Sequence, residues 1–187
     1  MLHLRILKIN AIVLCVSLGF TACGDPTRFT ANFSTVADTI TVFALTGTPL
    51  SVPTALNTFH HEAVRAEATS GYDVVFDIDA SGRVVLYPPS AVGGFGSAGL
   101  RTVTDAFDDL ETAPNRGFDS IDPLTVSAGE VVVIRAEPPE CANSIRPEIY
   151  TKLVVDSIDL VNRTITFRVR VNPNCGFRDL TEGVPDN

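Results

Sequence analysis

The segment 164–171 alternates polar and apolar side chains along its whole length, and this pattern limits the possible fold more than any other feature of the chain. Its apolar members Ile165, Phe167, Val169 and Val171 fall on every second residue. A period of two places them on one face of a β-strand and the polar residues on the other. No part of the domain shows a sustained 3.6-residue period, so the sequence predicts an all-β structure with little helix.

Similar apolar or alternating runs predict further strands. Residues 131–134 are apolar on both faces, which is typical of a central strand. The remaining predicted strands cover residues 38–45, 62–67, 73–79, 82–87, 100–107 and 150–158.

Proline and glycine separate these runs. The proline pairs at 88–89 and 138–139 lack the N–H that a strand ladder needs, so they should end strands. The tetrapeptide Asp-Ala-Ser-Gly at 79–82 is typical of a hairpin turn. The sequence therefore predicts one antiparallel β-sandwich or partly open barrel of about seven to nine strands. Its expected core contains Phe76, Val132, Ile134, Leu153, Ile165, Phe167 and Val169.

The N-terminus is organised like a signal peptide, with Arg5 and Lys8 before an apolar run over residues 11–20. The run ends in Phe-Thr-Ala-Cys at 20–23, which resembles the lipobox of bacterial lipoproteins. The resemblance implies that Cys23 is lipidated and becomes the first residue of the mature protein. In lipoproteins of two-membrane bacteria a small residue after that cysteine accompanies sorting to the outer membrane, so the resemblance implies this location for a chain with Gly24. An ordinary cleavage site and an uncleaved anchor are the alternatives.

We therefore divide the chain into a signal peptide (1–22), a lipid anchor and tether (23–35), a β-domain (36–179) and an acidic C-terminal tail (180–187). The full chain carries a net charge of −8, and loss of Arg5 and Lys8 makes the mature chain more acidic. Nucleic-acid binding needs Lys and Arg to neutralise phosphates, so we expect no nucleic-acid partner. Attachment to the membrane should come from the acyl chains rather than from charge.

Two cysteines, Cys141 and Cys175, remain beyond Cys23. An oxidising exported compartment favours their pairing, which would join the two ends of the last predicted hairpin. Two buried free thiols are the alternative. A metal site is less favoured, because there is no C-x-x-C spacing and no nearby histidine.

A calcium loop is the first candidate site. Asp77, Asp79 and Ser81 place oxygens at positions 1, 3 and 5 of such a loop, and Gly82 stands at position 6. Position 12 is Pro88 rather than Glu, and the flanking segments are predicted strands. We therefore favour a hairpin turn without an ion.

Other motifs give little support for catalysis. Residues 94–99 match G-x-G-x-x-G, but Pro-Pro-Ser at 88–90 intervenes before them and a β-like run rather than a helix follows, so we interpret them as a glycine-rich loop. His60 and His61 are the only histidines after residue 23, and we expect an exposed pair in a loop. No G-x-S-x-G is present. We therefore name no catalytic residue and keep an extracytoplasmic hydrolase as the least favoured alternative.

The order of several motifs resembles that of HmuY-type lipoproteins. These motifs are the lipobox, YDVVFD at 72–77, the glycines at 93–99, FDDLETAP at 107–114, YTKLVV at 150–155 and TITF at 164–167. Members of that family are all-β haem-binding proteins anchored to the outer membrane. The resemblance implies haem as a possible ligand, but it carries over no ligating residue.

The sequence thus predicts a membrane-anchored, exported lipoprotein whose non-catalytic β-domain binds a protein or a small ligand. A haemophore and an accessory subunit of a membrane complex are the two main alternatives. The second would require an exposed apolar patch on one sheet.

Overall fold

Two antiparallel sheets of five strands each form a β-sandwich in the computed structural model, which describes residues 30–185. The predicted lipidation site, Cys23, lies outside the described residues. The all-β prediction is confirmed, with ten strands rather than seven to nine. The strands are β1 (Val36–Phe43), β2 (Ala55–Asn57), β3 (Glu62–Val64), β4 (Val74–Ile78), β5 (Val84–Tyr87), β6 (Gly99–Val103), β7 (Leu124–Thr125), β8 (Val131–Ala136), β9 (Ile149–Asp159) and β10 (Thr164–Asn172).

The first sheet has the order β1-β10-β9-β8-β6, and the second has the order β3-β2-β4-β5-β7. The hairpin β4–β5 contains the turn predicted at 79–82, and β9–β10 is the last predicted hairpin. β2 and β7 are not predicted from the sequence. They have only three and two residues, which is too short for an alternation of polar and apolar side chains to be recognised. Two short 3-10 turns, Pro89–Val92 and Pro139–Cys141, follow β5 and β8.

The core lies between the sheets. All seven residues predicted for it belong to one buried cluster, to which both sheets contribute. Phe167 is only 1% exposed, and its Cα partner on the neighbouring strand β1 is Ile40, a member of the same cluster. β8 pairs with β9 on one side and with β6 on the other, so it is the central strand that its sequence predicts.

One strand is more buried than a two-residue period requires, and one predicted strand is too long. β4 is buried on both faces, because Val75 on its outer face packs against Tyr72 and Ala55. The run 100–107 does not remain a strand to its end, since β6 stops at Val103. Phe107 instead belongs to a second buried cluster, together with Val131 and Val133 of β8.

The segment 104–123 between β6 and β7, which contains Phe107, covers Lys152. The Lys152 side chain is only 1% exposed. Its ammonium group donates hydrogen bonds to the carbonyls of Phe107 and Leu110, at 2.6 and 2.8 Å. The Phe107 ring is 4.8 Å from Lys152 Nζ and 4.8 Å from the guanidinium carbon of Arg168. Burial, followed by the charge of Arg170, lowers the pKa of Lys152. The charged group thus fastens the loop to the sheet.

The predicted disulfide between Cys141 and Cys175 is present, with a Cα–Cα distance of 5.6 Å. It connects the 3-10 turn after β8 to the segment after β10, and so joins the two ends of the β9–β10 hairpin. Such a link typically stabilises a fold by about 3–4 kcal/mol for a loop of this length.

The folded unit extends beyond the predicted limits of 36 and 179. It begins at Ala31, and the side chain of Asn174 accepts hydrogen bonds from the backbone of Asn32 and Phe33. Leu180, the first residue of the predicted tail, is fully buried, and Thr35 pairs with Gly183. Within residues 30–185, no helix has the length and apolar character needed to cross a membrane.

Replacing Phe167 by alanine should lower the free energy of unfolding by about 3–5 kcal/mol, because it leaves a cavity between the sheets. Chemical denaturation measures this value. Val161→Ala is the control: Val161 is 92% exposed, so its loss should change stability by less than about 0.5 kcal/mol. Equal effects of the two substitutions would contradict the packing described above.

Candidate functional site

Two adjoining clefts lie beside Tyr72 and Phe95, each with a volume of about 350 Å³. One, the His60 lobe, includes Phe59, His60, Asp73, Glu137 and Glu140 in its lining. The other, the Glu67 lobe, includes Leu45, Ala66, Glu67 and Val92. Ser70, Tyr72 and Phe95 line both lobes, so we treat them as one aromatic cleft. Its volume falls within the range of small-molecule sites.

A glycine makes the close packing of Tyr72 possible. A Cβ atom at Gly94 would lie 2.1 Å from the Tyr72 hydroxyl, so no larger residue fits there without a shift. Gly93 ends the preceding 3-10 turn in the left-handed region, at a φ of 75°. The glycine-rich loop therefore folds over the Tyr72 ring and carries Phe95, which is 83% exposed, into the cleft.

Asn57 and Asp73 hold the turn after β2 in place. The Asp73 carboxylate accepts hydrogen bonds from the backbone N–H and the hydroxyl of Thr58, at 2.8 and 2.6 Å. Asn57 accepts a hydrogen bond from the His60 N–H and donates one to the carbonyl of Gly71. These contacts fix the turn to the segment before β4, and so position His60 at the cleft.

The opposite wall comes from the segment after β8. Glu140 Oε1 lies 3.2 Å from His60 Nε2, and the rings of Phe59 and His60 meet edge to face at 5.2 Å. Glu140 belongs to the 3-10 turn that ends in Cys141. The disulfide therefore restrains the part of the chain that supplies Glu140.

Burial changes the ionisation of several groups at the cleft. It raises the pKa of the Asp73 carboxyl, while the hydrogen bonds from Thr58 oppose the shift. It also raises the pKa of the Tyr72 phenol, and the negative charge of Glu67 adds to this effect. Next to the cleft, burial lowers the pKa of His61, and the charge of Asp38 opposes this.

The three residues of the calcium candidate do not converge on an open site. Asp77 accepts hydrogen bonds from Thr46 and from Arg163, whose guanidinium lies 3.2 Å away. Asp79 accepts from the backbone of Ser81 and Arg83 and pairs with the Arg83 side chain. These contacts form the hairpin turn favoured from the sequence. Among residues 30–185, no group of three or more His, Cys, Asp or Glu is placed to hold a metal ion.

The other sequence motifs contribute unequally to the cleft. The G-x-G-x-x-G segment is followed by strand β6 rather than by a helix, and part of it forms a cleft wall. His60 is exposed and lines the cleft, whereas His61 is half-buried in the same turn. Sequence reasoning missed Asp73, Glu140 and Phe95 as cleft residues. An aromatic residue between glycines was the one local signal available for Phe95.

No protein-family model matches this chain, and no curated protein matches it at a significant level.

Asp73 should make the free energy of unfolding depend on pH. Its raised pKa means that the folded state favours the protonated carboxyl. This contribution is fully present below the unfolded pKa of about 3.8 and is lost as the pH rises through the folded pKa. The unfolding free energy of the wild type minus that of Asp73→Asn should therefore fall as the pH rises, then level off.

Denaturant unfolding at a series of pH values measures this difference. Asp105→Asn is the control, because it removes a carboxylate that is exposed and lies outside the cleft. A wild-type advantage over Asp73→Asn that grows with pH would contradict the expected burial effect.

Proposed function

We propose that this chain is an exported, lipid-anchored protein whose β-sandwich binds a small ligand in the aromatic cleft. The cleft itself is the observation that carries the proposal. Phe95 is exposed and offers apolar surface beside Tyr72, which is itself only 6% exposed, and polar groups such as Asp73 and Glu140 converge there. Convergent polar groups in a mostly apolar concavity are typical of ligand sites.

The proposed location rests on the lipobox resemblance at Cys23, which implies an acyl anchor in the bacterial membrane, most simply the outer membrane. The domain would then face the periplasm or the cell surface. The disulfide between Cys141 and Cys175 supports an oxidising compartment.

Binding is favoured over catalysis by the surroundings of His60. Its imidazole contacts a carboxylate, that of Glu140. In a catalytic triad the histidine contacts a carboxylate and also accepts a hydrogen bond from the nucleophile. Within residues 30–185, no serine or cysteine makes such a bond to His60. The hydrolase alternative therefore receives no support from this contact.

Haem is the second candidate ligand, because His60 lines the cleft together with Phe59 and Tyr72. An imidazole beside aromatic rings can ligate haem iron, and the similarity of the motif order to HmuY-type lipoproteins points the same way. A Soret shift lost in His60→Ala but kept in His61→Ala would favour this ligand.

The accessory-subunit alternative receives less support. The large apolar side chains that are exposed in residues 30–185 lie in loops, apart from Val36 on β1. A broad apolar sheet face, which a permanent partner would cover, is therefore not the pattern observed in this part of the chain.

The first functional prediction concerns lipidation of Cys23. Mass spectrometry of the mature N-terminus should find an acylated Cys23, and Cys23→Ser should release the protein from membranes, because the acyl chains are its anchor. Cys15→Ser is the control and should leave attachment unchanged. An unmodified N-terminus at another residue would exclude the anchor.

The second prediction is that a large side chain placed in the cleft weakens ligand binding. Ser70 is exposed and lines both lobes, so the indole of Ser70→Trp should occupy space that a ligand needs. We expect at least one of three probes, benzyltrimethylammonium, benzyl alcohol or phenylacetate, to shift amide NMR signals around Tyr72 and Phe95. Ser70→Trp should weaken that binding by roughly tenfold or more.

Ser81→Trp is the matched control, since Ser81 is exposed in the β4–β5 turn, away from the cleft. It should leave binding unchanged. Failure of all three probes and of haem, or equal binding by the two tryptophan variants, would reject the cleft as the binding site.

A further inference from the structure

The charge of the cleft lining is one-sided. Its charged members are Glu67, Asp73, Glu137 and Glu140, with His60 as the one basic side chain, and neither lobe includes Lys or Arg in its lining. Elsewhere on the domain, arginines are frequent, for example Arg168 and Arg170 on β10. The cleft is therefore a local concentration of negative charge.

Two of these carboxylates have no partner within the described part of the chain. Asp73 is engaged by Thr58, and Glu140 faces His60. Glu67 and Glu137 make no hydrogen bond or ion pair within residues 30–185, and each is exposed. One stands in each lobe, on either side of the shared Tyr72 and Phe95.

Aromatic rings form the other part of the site. The electron-rich face of Tyr or Phe attracts a cation, by about 0.5–1 kcal/mol when exposed and more when water is excluded. Phe95 is 83% exposed, so its ring is accessible to a ligand. Carboxylates beside an accessible aromatic ring form an environment that suits ammonium and guanidinium groups.

We propose that the aromatic cleft binds a small organic cation, with an ammonium or guanidinium group on an apolar body. The proposal rests on the proposed function and adds the charge of the ligand. The apolar body lies against Tyr72 and Phe95, and the cationic group lies near Glu67 or Glu137. Anionic ligands, including the carboxylates of haem, meet like charge in this cleft.

Three compounds with the same phenyl body separate the charge from the apolar contribution. Benzyltrimethylammonium is cationic, benzyl alcohol is neutral and phenylacetate is anionic at neutral pH. With the full chain in a non-ionic detergent, we expect the cation to bind about tenfold more tightly than the other two. Higher salt should weaken its binding, because the carboxylates involved are exposed.

Variants then test the named groups. Glu67→Gln combined with Glu137→Gln should weaken binding of the cation about three- to tenfold and leave benzyl alcohol unaffected. The matched control, Asp105→Asn with Asp109→Asn, removes two exposed charges from the loop over the first sheet and should have little effect. Phe95→Leu keeps an apolar side chain but loses the aromatic ring. It should therefore weaken binding of benzyltrimethylammonium more than binding of benzyl alcohol.

Equal or tighter binding of phenylacetate or benzyl alcohol would overturn the cationic ligand. If Ser70→Trp then abolished the binding of phenylacetate or benzyl alcohol, the proposed function would stand. The cleft would be a binding site for a ligand that is not cationic. Binding of the cation that the glutamine variants do not change would also overturn the proposal. Failure of every probe would reject both this inference and the proposed function.

Discussion

Burial of the inner face of β10 is the interaction on which the rest of the structure depends. Four alternate apolar residues of this strand are buried between the sheets, where they join Phe76 of the second sheet in one cluster. β10 also pairs with β1 and β9, so it links the start of the folded unit to its last hairpin. β10 is paired along both of its edges, so it lies inside the first sheet rather than at its edge.

The outer faces of the sheets show where sequence reasoning reaches its limit. A period of two identifies which residues share a face, and this sufficed for β10 and for the predicted core. It does not reveal whether a loop covers the opposite face. Phe107 packs against β8, and Val75 packs against Tyr72 and Ala55, and these contacts leave no alternating pattern in the sequence. Short strands such as β7 are likewise defined by pairing rather than by alternation.

The cleft was harder to foresee for the same reason. Five separate segments supply its walls, and the hydrogen bonds of Asn57 and Asp73 bring two of them together. The disulfide, which restrains the Glu140 segment, was predictable from the expectation that two cysteines in an oxidising compartment form a pair. The motif resemblances, by contrast, provide expectations about location and ligand that the fold alone does not address. Fold and core were thus accessible from residue patterns, whereas the site required tertiary structure.

Lys152 gives the protein an unusual chemical property. It is the only lysine after residue 8, and its amine is enclosed between the sheet and the loop that contains Phe107. Reagents that acylate primary amines, including common cross-linkers and surface-coupling chemistries, thus have no accessible lysine side chain in the folded domain. Acylation of Lys152 requires the covering loop to open, so the extent of labelling becomes a measure of local opening at that face.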